Sequence, residues 1–277
     1  MSHIVRATTT GLFLLTAGSP PPAAADGEAC PPAPQETVRV AAVLDGDTLA
    51  LEDGRTVRLV SVLAPKPHGG EPEAGDGTAD TADLPETARK ALETAVVGRD
   101  LGLAYTGERQ DRHGRLLAHG LVPGAREPWL QAHLVDRGLA RVYAVEDNYR
   151  CVARLIDREA VARTKKRGLW SRRSGAILSA DRPEEVRRET GRFAIVEGVV
   201  KTVGDRPRRT YLNFGKNWSQ DFTVFVDRGD TARFEHAEID LTGLAGRRVR
   251  VRGWIRDDRG PALKMTVPEQ LELVGTR

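Results

Sequence analysis

Residues 38–66 read VRVAAVLDGDTLALEDGRTVRLVSVLAPK. The first seven alternate, so Val38, Val40, Ala42 and Leu44 are expected on one face of a strand. Asp45-Gly46 is a hairpin-type turn signal, and Asp53-Gly54 is a second. Residues 48–51 and 56–62 are rich in Leu, Val and Thr and continue the meander. Short strands separated by tight turns predict a β-rich block.

Downstream, residues 66–83 are dominated by Pro, Gly, Asp, Glu and Thr and predict a loop. Residues 86–97 then place Ala88, Ala91, Leu92, Ala95 and Val96 at helical spacing, with Gly98 suited to end the helix. Strands are expected over 100–105 and 116–122. A second helix should start at Pro128 and stop at Gly138, followed by a short strand at 140–143. A third runs over 149–167 with Val152, Leu155, Ile156 and Ala160 inward. Gly168 stops it, and Leu169-Trp170 folds back to cap the core. After a polar connector, residues 193–203, 210–214, 222–226, 247–255 and 262–267 read as strands, with 268–274 a further short one. A helix-like stretch at 231–237 intervenes. That pattern resembles a small Greek-key barrel of the OB type.

Upstream, Arg6, the apolar run at residues 11–17 and Ala23-Ala24-Ala25 have the layout of a secretory signal. Residues 1–25 are therefore expected to be a signal peptide and 26–36 a linker. No later stretch reaches about 18 apolar residues, so no transmembrane segment is expected. The chain reads as exported, to the periplasm or beyond. Its two cysteines, Cys30 and Cys151, either pair, as is common in exported proteins, or remain two thiols. Glu28 makes the sequence before Cys30 a poor lipobox.

Net charge is +3, which permits an anionic partner without demanding one. Aromatic residues are 5%, so base-stacking surfaces are sparse. Two features still suit phosphate chemistry. Asp47, at a turn between strands, can reach a hard cation, and Asp45 can act beside it or through water. Arg58 sits in an apolar strand, and Arg115 follows the turn Asp111-Arg112-His113-Gly114. Two guanidiniums converging on one phosphate offer two planar forks of donors. Each element alone is commonplace: a hairpin acid, a surface arginine, a turn histidine such as His113.

Together and in order, these segments resemble the staphylococcal nuclease-like (thermonuclease) family. The resemblance rests on Asp45-Gly46-Asp47-Thr48, Arg58-Leu59 with Pro65, Asp111 to Arg115, Leu134-Val135 with Gly138-Leu139-Ala140, and Gly168-Leu169-Trp170. It implies a β-rich α+β chain: an OB-like five-stranded barrel with three helices over 37–172. A connector at 173–190 and a second small OB-like β-barrel over 191–277 would follow. It further implies Ca2+-dependent cleavage of DNA and RNA in active members. Asp47 then matches a calcium ligand, Asp45 its neighbouring acid, and Arg58 and Arg115 the phosphate-binding arginines.

Where active members carry a second ligand aspartate and a glutamate base, this chain has Leu63 and Lys66. Leu63 cannot bind a metal. Lys66 is read as a solvated loop lysine, with an added phosphate contact as the other option. Glu71, Glu73 or Asp76 of the following loop are candidates to replace the base. Hydrolysis should be weak or lost, and the alternative is a non-catalytic nucleic-acid or polyanion-binding module of the cell envelope. In the second block, Arg248, Arg250 and Arg252 alternate onto one face. With Tyr211, Phe214 and Trp218 they form either an oligonucleotide face or core aromatics beside a solvated basic face. Substrate and oligomeric state stay open.

Overall fold

The computed structural model describes residues 29–67, 82–145, 147–217 and 219–275. The expected signal peptide, the loop acids Glu71, Glu73 and Asp76, and Trp218 lie outside the described residues. The first module is a closed barrel of β1 (Glu36–Asp45), β2 (Thr48–Leu51), β3 (Thr56–Leu59), β5 (Asp100–Ala104) and β6 (Leu116–Leu121). A two-residue strand, β4 (Val62–Leu63), leaves the barrel and pairs with β7 (Arg141–Val142). Strands run antiparallel except β3 and β6, whose parallel pairing makes the barrel mixed. Three helices pack on it: α1 (Leu84–Val96), α2 (Leu130–Val135) and α3 (Val152–Thr164).

Each helix has a simple local cause. On α1, Ala88, Leu92 and Val96 recur at four-residue steps and are fully buried, while Pro85 occupies the first turn, where no N–H is needed. Leu169 is buried and Trp170 packs against the same core, as expected of a cap.

The reading of β1 needs correction. Val38, Val40 and Val43 are buried, while Ala42 and Leu44 are exposed. The register with β2 breaks between Val40 and Ala42. One extra residue at such a bulge moves the following side chains to the opposite face. The Asp45-Gly46 turn is present, but Gly46 is not there for a left-handed backbone. A Cβ at Gly46 would lie 2.6 Å from the Ala64 side chain and 2.8 Å from that of Ala88. The glycine lets this hairpin tip press onto the segment leading to Lys66.

Cys30 and Cys151 form a disulfide that ties the N-terminal arm to the start of α3. No helix among the described residues is long and apolar enough to cross a membrane.

The second module is one curled sheet. Its strands are β8 (Leu178–Ser179), β9 (Phe193–Val199), β10 (Thr202–Asp205), β11 (Arg209–Asn213), β12 (Thr223–Asp227), β13 (Arg248–Asp257), β14 (Pro261–Met265) and β15 (Leu271–Leu273). The order is β10-β11-β12-β14-β13-β9-β8, with β15 on β13. Two short helices, α4 (Pro183–Arg187) and α5 (Thr231–His236), accompany it. Phe214, Phe222, Phe234, Val249 and Val251 help fill its own core. A third cluster joins the modules: Leu63 packs with Phe193 and Ile195, against Tyr143, Trp170 and Trp254.

Candidate functional site

The site grows from the β1–β2 turn. Asp45 Oδ1 accepts the Asp47 backbone N–H at 2.9 Å, which holds the turn and aims the Asp47 carboxylate inward. Asp47 is fully buried. Its Oδ2 accepts the Ala64 N–H at 2.9 Å, and its Oδ1 accepts the Thr48 hydroxyl at 3.2 Å. Across the sheet, Arg58 pairs in register with Thr48 and lies between the inward residues Val57 and Leu59. Its guanidinium reaches Asp47 Oδ1 at 3.2 Å.

Lys66 corrects the expectation of a solvated loop lysine. Its side chain is 9% exposed, and its ammonium sits 2.7 Å from Asp45 Oδ2 and 2.5 Å from Asp47 Oδ1. The cause is the buried acid beside it. A fully desolvated carboxylate is costly unless paired. Burial opposes ionisation of Asp47, but the charges of Arg58 and Lys66 outweigh it and hold the carboxyl below its usual range.

Leu63 is also placed by its surroundings. It is 3% exposed and lies under Phe193 and Ile195 of the second module. A carboxylate there would face apolar side chains. The residues therefore do not fit a calcium ion. Ca2+ takes six to eight oxygen ligands. Here one acid position is apolar, the other candidate acids already hold an ammonium, and both Asp47 oxygens have protein partners. Among the described residues no group of three or more His, Cys, Asp or Glu is arranged to hold a metal.

Arg115 comes from the hairpin before β6. Asp111 Oδ1 accepts the backbone N–H groups of His113 and Arg115, and Gly114 takes the left-handed conformation that the turn requires. Arg115 Nε donates to Asp111 Oδ2 at 2.6 Å. Although burial raises the Asp111 carboxyl, the Arg115 hydrogen bond and the two backbone bonds bring it below its ordinary value. His113 is exposed, with Arg112 Nε donating to its Nε2.

Arg58 and Arg115 line one cleft of about 640 Å³. Tyr143 and Trp254 also line it, and Trp254 comes from the second module. Trp254 Nε1 donates to the Tyr143 hydroxyl at 3.2 Å. Neither aromatic was among the candidate residues. A signal for Trp254 existed in the sequence: it shares the alternation of Arg248, Arg250 and Arg252.

That basic face is solvated only at Arg248, which is about half exposed at 51% beside Glu197. Arg252 is 1% exposed and meets Glu159 of α3 at 2.9 Å and Glu272 of β15 at 2.5 Å. It also donates to the Val142 carbonyl. Arg250 pairs with Glu197 and Glu272, and Arg163 of α3 with Glu159. Through Arg252 and Glu159 the face forms an ion-pair seam between the modules. Phe214 is buried against Phe222, and Tyr211 lines a separate cavity with Arg209 and Phe225.

A closed mixed five-stranded barrel with three helices defines a β-rich α+β fold of the OB-like kind, in which Arg58 meets the buried Asp47 and shares a cleft with Arg115. Residues 56–172 match the model of the staphylococcal nuclease homologue family. The chain is 31% identical over 136 residues to an uncharacterized endonuclease of Escherichia coli O157:H7, an alignment covering 48% of this chain and 76% of that protein. It is 30% identical over 131 residues to the SPbeta prophage-derived endonuclease YokF of Bacillus subtilis strain 168, covering 47% of this chain and 42% of the relative. The chain belongs to the staphylococcal nuclease-like family. The family match ends before the second module begins.

Proposed function

We propose that this protein holds nucleic acid, or a similar phosphate polyanion, in the Arg58–Arg115 cleft, and that metal-dependent hydrolysis there is weak or lost. The observation that carries this reading is the Lys66 ammonium seated between Asp45 and Asp47, the acids assigned to the metal by family resemblance. Arg58 and Arg115 retain the phosphate-holding half of the site. The water-activating half has no acid at position 66, and loss of a general base costs about 10²–10⁴ in rate. The disulfide supports placement in an oxidising compartment, the periplasm or outside the cell.

The test uses purified protein and denatured DNA. Expected is retention that weakens with salt, as phosphate contacts release counterions, with no cleavage when Ca2+ is added. Robust Ca2+-dependent cleavage that Arg58→Ala abolishes overturns the inactive reading. The relatives named as endonucleases favour a second reading, residual cleavage through a substitute acid, and the same assay separates the two.

A further inference from the structure

We propose that Lys66 is a tethered replacement for a divalent cation, so that the site is complete without metal and closed to it. The argument is one of place and of charge. As to place, the ammonium contacts one oxygen of Asp45 and one of Asp47, at 2.7 and 2.5 Å, and is itself buried. Its compact, multi-donor head suits a space between carboxylates better than a planar guanidinium would. Asp47 Oδ2 is turned to the Ala64 N–H, which pins the carboxylate in the orientation that meets Lys66.

The charges also match. Two carboxylates, Asp45 and Asp47, face two cations, Lys66 and Arg58, and the set sums to zero. With Leu63 in place of an acid, one ammonium suffices where a doubly charged ion would overcompensate. Among the described residues, losing Lys66 leaves the buried Asp47 with Arg58 as its remaining cation and leaves Asp45 without an ion-pair partner. That excess negative charge would draw in a cation from solution. Lys66 and Leu63 are then linked departures: the second module covers one acid's position, and the ammonium neutralises what remains.

The inference concerns cation occupancy and does not depend on whether the cleft binds nucleic acid. Its test therefore needs no nucleic acid. The full disulfide-bonded chain is titrated with Ca2+ by calorimetry, and its thermal midpoint is followed with millimolar Ca2+ or EDTA. The wild-type protein should give no binding heat and no shift. Lys66→Ser should bind Ca2+ and gain in thermal midpoint. Lys66→Glu should bind it at least about tenfold more tightly than Lys66→Ser, because affinity follows ligand charge. Should either variant fold poorly, refolding with and without Ca2+ reads the same point. Recovery only with Ca2+ supports the proposal, and recovery in neither condition overturns it. Ca2+ binding by the wild-type chain as tight as by the variants overturns it, as does a well-folded pair of variants that gain none.

Discussion

Asp47 concentrates the chemistry of the first module in one side chain. Burial alone would push its proton affinity up, yet Arg58 and Lys66 hold it down. A carboxylate depressed in the folded state releases its proton on folding. Its stabilisation is present above the ordinary aspartate range, near pH ~3.9, and is lost as pH falls through the lowered value. Urea unfolding across a pH series should show this loss in the wild type. Asp47→Asn should be about 3 kcal/mol less stable at neutral pH, because Lys66 and Arg58 lose their buried partner, and should lose less on acidification. An unchanged acid slope would remove Asp47 from the account. A second expectation concerns Gly46, whose added methyl would strike Ala64 and Ala88. Gly46→Ala should cost about 1–3 kcal/mol, read in the same denaturant series. Asp45, Asp47, Arg58 and Arg115 could all be picked out from residue types and order. The seat of Lys66 could not, because a polar residue at the mouth of a Pro- and Gly-rich loop reads as solvated until the acids it meets are known to be buried.

The strands and helices were legible where periodicity is local. The Ala88, Leu92, Val96 stripe of α1 needs only its own sequence, as do the Val-rich runs of β9 and β13. The β1 bulge was not legible, because strict alternation in sequence does not reveal where a partner strand skips a residue. β6 carries a further consequence. His119 is fully buried, accepts the Trp129 indole N–H on Nδ1 at 3.2 Å, and is pushed down to about 4 by burial. Between its ordinary value of about 6.5 and that lowered one, the unfolded chain takes up a proton that the folded chain refuses. Stability is therefore full above the ordinary value and falls as pH drops towards the lowered one, by about 3 kcal/mol. His119→Gln, which keeps an acceptor for Trp129, should flatten the stability profile across that window. If the wild-type and variant curves run parallel there, His119 is not the titrating group.

The two modules make one molecule through a seam that neither periodicity nor motif announces. Alternation in Val249-Arg250-Val251-Arg252 reveals two faces of β13 but not what covers the charged one. That cover is α3, brought there by the fold of the other module, and it supplies Glu159, itself fully buried and missed among the inward residues of its helix. Arg252 is enclosed by Glu159 and Glu272, whose charges outweigh its burial and keep it firmly protonated. Such a pair adds little over well-packed apolar groups, but removing one partner strands a buried charge at a cost of about 3–5 kcal/mol. The strain of that loss falls first on the joint, since the two modules have largely separate apolar clusters. Calorimetry of the wild-type chain should therefore give one cooperative transition. Arg252→Ala should lower it and separate it into two. Arg252→Met combined with Glu159→Gln removes both charges together and should recover part of the loss. The same joint seats Leu63 under Phe193 and places Trp254 on the wall of the Arg58–Arg115 cleft. Loosening it should therefore also weaken nucleic-acid retention. A variant whose transitions separate while retention stays at the wild-type level would free the cleft from any dependence on the second module.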